Sequence, residues 1–205
     1  MATLERFQLT GKATCRICYP QGLFEKRMPK GSTEGTLKYD GILLIPKEDS
    51  AKVAQVQEMY NKAFKALKDS GYSGKTPASL NPKSNCLVDG DVLADNEDGK
   101  EQFRGYLILK MSSPYVRPRV FDLQKRVILN GVPDVNVSAE DISPEELKDG
   151  DIVHATVSFW TYNKPTVQGI GCNPIAFLRV AEGEPICGAA QSTKADDYFG
   201  EESYE

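Results

Sequence analysis

Apolar and polar residues alternate strictly along residues 151–162. The apolar face consists of Val153, Ala155, Val157 and Phe159, and the opposite face of His154, Thr156, Ser158, Trp160 and Tyr162. Alternation with a period of two is typical of a strand that buries one face. The pattern therefore predicts a strand that carries the only tryptophan of the chain on the side opposite the core.

Two further segments show the same alternation. In residues 103–111, one face carries Phe103, Leu107, Leu109 and Met111, and the other carries Arg104, Tyr106 and Lys110. Ile108 is the apolar exception on that second face. In residues 115–120, Tyr115, Arg117 and Arg119 share one side. Both segments are predicted to be strands whose outward faces mix aromatic rings with cations.

One segment has helical periodicity. From Asp49 to Ser70 the apolar positions are Val53, Val56, Tyr60, Ala63, Phe64 and Leu67. Asp49 or Ser50 suits the N-cap, and Gly71 suits the left-handed stop. The other face carries Lys52, Lys62, Lys65 and Lys68, which we interpret as an ordinary solvated face. Residues 143–146 have the cap, proline and acidic residues that begin a short second helix, ending by residues 149–150.

The remaining segments are predicted to have little regular structure. Residues 71–99 are rich in Gly, Pro, Ser, Asn and Asp, and we interpret them as a long loop inserted into the domain. Their acidic end does not fit the spacing of a calcium-binding loop. Apolar periodicity is lost after Gly188, so we expect residues 1–188 to form one domain and residues 189–205 to be a disordered tail.

Cys15 and Cys18 have the spacing of a zinc or dithiol site. A structural zinc site needs four ligands, and a redox C-x-x-C motif lies at a helix start. The other cysteines form no second close pair, and residues 12–19 carry no helix-start signal. In a strand, successive side chains point to opposite faces. The inward set is then Ala13, Cys15 and Ile17, and the outward set Thr14, Arg16 and Cys18.

Strand-like segments dominate the chain, which predicts a mostly β protein with one long helix. A chain of 205 residues is long enough for one domain that buries roughly 70% of its surface. The longest apolar run, Ile42–Ile45, is too short to cross a membrane, and the chain start lacks the apolar segment of a secretion signal. Five cysteines, an odd number, favour a reducing compartment and free thiols. We expect a soluble protein that acts in the cytoplasm.

Charge is distributed unevenly along the chain. Residues 196–205 hold five acids and no Lys or Arg, and removing those five from the 29 acidic residues leaves 24 against 25 basic ones. The body is therefore nearly neutral, although residues 100–126 carry seven basic side chains against two acids. An acidic tail beside a basic surface is the pattern that a function must explain.

Aromatic rings interleaved with cations on the exposed face of a sheet favour binding to unpaired nucleic acid. Rings stack on any base, and cations neutralise phosphates. The same residues also suit a plain surface or a contact between subunits, so the pattern leaves both interpretations open. No paired carboxylates, nucleophile with a base, phosphate-binding glycine loop or metal cluster emerges. The sequence therefore predicts neither an enzyme nor a cofactor or metal site.

Several motifs resemble the tailed-phage single-stranded-DNA-binding proteins. Residues 35–47 (GTLKYDGILLIPK), followed by the long helix, resemble the second strand, the IPK corner and the helix of that family. Residues 87–91, 115–122 and 154–178 are similar to later family segments, in the same order. The acidic C-terminus is also similar, although many relatives end on an aromatic residue and this chain ends Tyr204-Glu205.

The resemblance implies an OB-type barrel of about five or more strands, elaborated by one long helix. It implies binding of single-stranded DNA, without strong sequence preference, during phage DNA replication, recombination and repair in the infected bacterium. The tail would recruit replication proteins such as a polymerase or helicase, and a homodimer is an open alternative to a monomer. A structural or accessory phage β-protein that uses the same face for protein contacts is the alternative function.

The family suggests candidate residues for each role. Those for DNA are Arg16, Lys38, Arg104, Tyr106, Lys110, Tyr115, Arg117, Arg119, Trp160, Tyr162 and Lys164. Those for the partner-binding tail are Asp196, Asp197, Tyr198, Phe199, Glu201, Glu202, Tyr204 and Glu205.

Overall fold

A computed structural model describes residues 2–12, 14–28, 35–122 and 146–187, together with the backbone of two short strands between them. The strands are β1 Ala2–Thr3, β2 Phe7–Leu9, β3 Arg16–Cys18, β4 Tyr39–Pro46, β5 Leu87–Asp89, β6 Tyr106–Ser113, β7 Arg119–Asp122, β8 Ile128–Leu129, β9 Val132–Pro133, β10 Ile152–Lys164 and β11 Val167–Ala181. The helices are α1 Ser50–Asp69 and α2 Gly90–Asn96. The mostly β architecture with one long helix agrees with the sequence prediction.

The main sheet closes on itself to form a barrel. Its strands follow the order β5-β6-β4-β3-β10-β11-β7, with β1 and β2 also paired to β10. A parallel bridge joins Asn85, just before β5, to Ile170 on β11. The Cys86 N–H donates to the Ile170 carbonyl at 3.1 Å, and the Cys86 carbonyl accepts from the Lys110 N–H at 2.8 Å. The path from β5 to β11 is thereby closed, as in an OB-type barrel.

The core lies between the barrel wall and α1. The inward residues of β10 that the alternation predicts, Val153, Ala155, Val157 and Phe159, are at most 2% exposed. Tyr60 of α1 packs its ring edge against Phe159, with centroids 5.7 Å apart. The Tyr60 hydroxyl donates to Asn85 Oδ1 at 2.8 Å, which links the helix to the closing seam of the barrel.

Helix α1 begins and ends near the predicted positions. Asp49 is the N-cap, and its side chain accepts from the Lys52 N–H; Gly71 follows the helix with a φ of +100°. One of the four lysines was assigned wrongly. Lys52 is buried, and its Nζ lies 2.7 Å from Asp49 Oδ2 and 2.6 Å from the Lys12 carbonyl oxygen. It is a structural ion pair at the helix start, whereas Lys62, Lys65 and Lys68 are exposed.

A second apolar cluster lies on the outside of the barrel, over β3, β4 and β6. This outer cluster consists of Cys18, Leu44, Phe103 and Ile108, with Tyr106, Ile186 and Cys187 among the residues packed against it. It explains why Ile108 breaks the alternation of β6. The inward assignment of Phe103 was wrong, because the ring belongs to this cluster and not to the core.

Residues 183–187, which we call the C-terminal clasp, cover the outer cluster. Cys187 forms a disulfide with Cys18 of β3. The prediction of five free thiols was therefore wrong, and only Cys15, Cys86 and Cys172 are free. A strand prediction places Cys18 outward but contains no information about a segment that returns 169 residues later.

Hydrogen bonds also hold the clasp. Asp149 Oδ2 accepts from the N–H groups of Ile186 and Cys187, both at 2.7 Å. The guanidinium of Arg16 donates to the carbonyls of Gly150 and Glu184, and the Gly183 N–H donates to Asp151 Oδ1. Backbone and side-chain contacts thus accompany the covalent link.

The remaining sequence predictions concern the long loop, the second helix, Ala13 and the tail. Residues 71–99 are more regular than expected, because β5 and α2 lie in them, with Asp89 capping α2. The helix start at residues 143–145, the inward Ala13 and the tail at residues 189–205 lie outside the described residues. No helix in the described part of the chain is long and apolar enough to span a membrane.

Candidate nucleic-acid interface

Two aromatic rings lie together on the outer wall of the barrel. Trp160 and Tyr162, which we call the aromatic pair, alternate along β10 with the buried residues Phe159 and Thr161. Their ring centroids are 5.0 Å apart, with an interplanar angle of 37°. Both side chains are partly exposed. The structure thus confirms that the tryptophan points away from the core.

Strand β11 supports the aromatic pair with glycines. Trp160 is paired with Gly171, and Tyr162 with Gly169. The Tyr162 hydroxyl donates to the Ser84 carbonyl at 3.3 Å, which ties the phenol to the segment that closes the barrel. The Trp160 Nε1–H is buried and has no hydrogen-bond partner among the described residues. A buried donor without a partner is uncommon in native structures.

Three of the candidate cations are exposed on the barrel wall, at different distances from the aromatic pair. Lys164 is the second residue after Tyr162 on the same face of β10. The backbone of Lys110 is hydrogen-bonded to Cys86, and the backbone of Cys86 to Ile170 of β11. Lys110 therefore lies two strand spacings, about 10 Å, from Ile170. Arg119 of β7 is paired with Ala176 of β11, and Ala176 is paired with Thr156 of β10. Thr156 precedes Trp160 by four residues, which is roughly 13 Å along the strand. All three side chains are exposed and make no ion pair with another described residue.

A second group of candidates lies at the end of β4 and β6. Tyr39 is paired with Ser113, so residues just before β4 and just after β6 are neighbours. Tyr115 and Val116 are 82% and 69% exposed, and the Arg117 guanidinium lies 5.5 Å from the centroid of the Phe24 ring. The strand predicted over residues 115–120 begins only at Arg119, and Val116, which the alternation puts on the side opposite Tyr115, is exposed as well.

Lys38 belongs to this second group. It forms a backbone bridge with Arg27, next to Tyr39, whose ring lies under the Lys26 ammonium at 5.4 Å. The pairing of Lys26 with Tyr39 adds a cation and an aromatic ring that the alternation in the sequence does not indicate. Rings and cations therefore also lie together at this end of the barrel.

Three other candidates have structural partners. The Arg104 guanidinium lies 2.8 Å from Asp95 and 3.3 Å from Glu101, so its charge is already compensated. Arg16 donates to two carbonyls of the clasp region, and Tyr106 packs against the outer cluster. The structure does not bring these three to the aromatic pair.

The three free thiols are buried, and the one group of metal-type ligands among the described residues is already engaged within the protein. Burial raises the pKa of the Cys15 thiol to about 12, and burial also raises the pKa of Cys86 and of Cys172. Among the described residues, one group of three metal-type ligands is close enough to share an ion: Cys18, Asp149 and Cys187. Its two sulfurs are bonded to each other, and the Asp149 carboxylate accepts backbone N–H groups.

Sequence reasoning missed the glycines beneath the aromatic pair. Gly169 and Gly171 occupy the outward positions of a strand, separated by one buried isoleucine. One strand carries two aromatic residues at alternate positions, and after a short turn the next strand carries two glycines at alternate positions. This is the signal that would have found them.

Comparisons with known proteins agree with this architecture. A family model described as the Enterobacter phage Enc34 ssDNA-binding protein matches residues 9–205. The structure of the single-stranded DNA-binding protein from bacteriophage Enc34 in complex with ssDNA is similar, with a TM-score of 0.61, 18% identity and 88% of each chain covered. The structure of gp2.5, a single-stranded DNA binding protein of bacteriophage T7, has a TM-score of 0.53 and 13% identity, with 96% of this chain and 95% of that chain covered.

No curated protein matches the sequence. At 13–18% identity the similar structures establish the shared fold. The family match, in contrast, extends over nearly the whole chain, from Leu9, the last residue of β2, through β11 and the residues after the clasp. The chain therefore belongs to the Enc34 ssDNA-binding protein family.

Proposed function

We propose that this protein binds single-stranded DNA with little regard for sequence and keeps it unpaired during phage DNA replication, recombination and repair in the cytoplasm of the infected bacterium. The observation that carries the proposal is the aromatic pair on the outer wall, with the exposed cations Lys110, Lys164 and Arg119 on the same wall. Stacking on aromatic rings contributes roughly 1–3 kcal/mol per base and tolerates every base, because each has a π-face.

The uncompensated cations supply the second part of the binding energy. Each phosphate that a cation neutralises releases counterions, so affinity falls with salt by about 0.7 log units per contact and log unit of salt. Lys110 and Arg119 are suited to this role because their charges are not paired within the described residues. Arg104 is not suited, because Asp95 and Glu101 compete with a phosphate for its guanidinium.

The acidic residues after the clasp have a proposed role in regulation and partner binding. The disulfide places Cys187 beside Cys18, which is paired with Ile42, and Ile42 is paired with Lys110. Cys18, to which residue 187 is bonded, is thus about two strand spacings, roughly 10 Å, from a cation of the proposed surface. The acidic residues begin nine positions further along the chain, at Asp196. From there they can compete with DNA for the cations and recruit a replication protein such as a polymerase or helicase when DNA displaces them.

A titration of the Trp160 fluorescence with oligo-dT, repeated with duplex DNA, tests the proposal. We expect quenching by the single strand and a weaker response to the duplex. Trp160→Ala, followed by the anisotropy of a labelled oligonucleotide, should weaken binding about 5- to 150-fold, the equivalent of one lost stack. Trp160→Phe keeps a ring and should retain most of the affinity.

The same titration over a salt series tests the cations. Lys110→Ala should reduce the salt slope by about 0.7, whereas Arg104→Ala is the matched control and should change it little. A protein that does not shift an oligonucleotide at any salt concentration would instead be a structural or accessory phage protein, with the aromatic pair serving a protein contact.

A further inference from the structure

We propose that Gly169 and Gly171 are positioning residues for DNA binding, because their missing side chains leave the space that the aromatic pair occupies. This inference rests on the proposed function and assigns a role to two residues that make no contact with DNA themselves. It explains why two outward positions of the longest strand of the sheet carry no side chain at all.

Backbone conformation does not account for either glycine. Six other described glycines have a positive φ, which favours glycine over other residues, but Gly169 and Gly171 are not among them. They lie in the regular ladder between β10 and β11, where any residue can adopt the extended conformation. Because glycine in a strand interior is unfavourable for its entropy, a reason for it must be sought in the space around the Cα atom.

The space around Gly171 is filled by the indole. A Cβ atom added there would lie 2.6 Å or less from Cε2, Cζ2 and Nε1 of Trp160. Real Cβ atoms are essentially never closer than 3.0 Å to such atoms, so the ring would have to move. Trp160 therefore leans across the strand pair and lies directly above the backbone of its partner residue, an arrangement in which aromatic side chains shield a strand glycine.

The space around Gly169 is filled by the phenol and by backbone. A Cβ atom there would lie 2.6 Å or less from Oη and Cζ of Tyr162 and from the Ser84 carbonyl oxygen. Gly169 and Gly171 of β11 thus lie directly beneath the rings of Tyr162 and Trp160 of β10. The pair is fixed at a centroid distance of 5.0 Å, which presents one continuous aromatic surface to a base.

The two positions differ in what a substitution would disturb. At Gly169 the Ser84 backbone is in the way, so alanine there would disturb the closing seam of the barrel. At Gly171 the three nearest atoms all belong to the Trp160 side chain. Gly171→Ala is therefore the informative variant. Asn173→Ala, at the next outward position of β11 and opposite Ser158, is the matched control.

A double-mutant cycle between Gly171 and Trp160 tests the inference. Gly171→Ala should weaken binding to oligo-dT by about 3- to 30-fold, part of the loss expected from removing a stack, and should shift the Trp160 emission and the near-UV circular dichroism. Asn173→Ala should leave affinity and spectra as in the wild type. In the Trp160→Ala background, adding Gly171→Ala should change affinity less than about 2-fold, because the displaced ring is already gone.

A smaller ring provides a rescue that separates positioning from folding. Phenylalanine lacks the outer carbons of the indole, Cζ2 among them, and its smaller ring needs less displacement to clear a Cβ atom at residue 171. Trp160→Phe/Gly171→Ala should therefore be folded and bind as tightly as Trp160→Phe alone. If the double variant is unfolded, the glycine serves the backbone and the inference is wrong. It is equally wrong if Gly171→Ala behaves like Asn173→Ala while Trp160→Ala weakens binding. A wild-type protein that does not bind oligo-dT would contradict the proposed function instead.

Discussion

Removing the Cys18–Cys187 disulfide should cost this protein a large part of its stability without changing its fold. The disulfide joins residues separated by 169 positions, so it closes almost the entire chain into a loop. The C-terminal clasp it holds keeps several hydrogen bonds of its own, to Asp149, Asp151 and Arg16. We therefore expect Cys187→Ser to fold to the same barrel but to unfold more readily.

The magnitude follows from the length of the loop. In the chain-entropy model, a cross-link that spans about 169 residues lowers the entropy of the unfolded chain enough to stabilise the fold by about 5 kcal/mol. Measured values are usually smaller, about 2–4 kcal/mol. For a chain of this size, each kcal/mol corresponds to roughly 2–4 °C in Tm. The expected decrease in Tm is therefore about 5–15 °C.

Reduction of the wild type provides the control for this prediction. With a dithiol present, the wild type should melt close to the Tm of Cys187→Ser, and the variant itself should not respond to the reductant. A count of thiols in denaturant without reductant should give three, from Cys15, Cys86 and Cys172. Five reactive thiols, or identical melting of the oxidised and reduced wild type, would show that the covalent link is absent or has no effect on stability.

Two further predictions concern the start of α1 and the residues after the clasp. The Lys52 ammonium and the Thr14 hydroxyl lower the pKa of Asp49 to about 2. The stability that the charged carboxylate contributes is therefore complete above its ordinary pKa near 4, and it is lost as pH falls from about 4 to 2. Asp49→Asn should remove about 1–2 kcal/mol at neutral pH and flatten that part of the curve in acid-unfolding experiments, whereas Asp69→Asn at the exposed helix end should not. Deleting residues 189–205 should tighten binding to oligo-dT at low salt and have little effect at high salt, because screening weakens competition between charges; unchanged affinity at low salt would contradict the competition.

The sequence predicted the parts of the fold that depend on local periodicity. The alternation in β10 placed Trp160, Tyr162 and Phe159 on the correct sides, and the helical spacing located α1 to within a residue at each end. Local patterns report which face of an element is apolar because burial on one face acts on each element independently. They succeed when the apolar face is buried by the core.

The same patterns failed where a distant segment covers a second face. Ile108 and Phe103 lie in the outer cluster. Val88 and Leu93 of residues 71–99 and Ile186 of the clasp pack against that cluster, and the alternation within β6 indicates none of these contacts. Cys18 was assigned correctly to the outward face, yet its partner was not predictable because disulfide connectivity depends on the tertiary path. Lys52 looked like one of four solvated lysines, and only the fold brings its ammonium to the Lys12 carbonyl.

The outer wall of the barrel is therefore divided into two surfaces, and this division favours one location for DNA. Over β3, β4 and β6 the wall is apolar and is covered by the chain itself, so Arg16 and Tyr106 serve to hold the clasp and the outer cluster. Over β10 and β11 the wall carries rings supported by glycines, and no described segment covers it completely, since Trp160 and Tyr162 remain partly exposed. Lys110 lies at the boundary, exposed at the edge of the covered surface and two strand spacings from the glycine strand. A nucleic acid that stacks on the aromatic pair, beside Lys164, and continues across the closing seam towards β6 would meet Lys110 at the edge of the surface that the clasp covers.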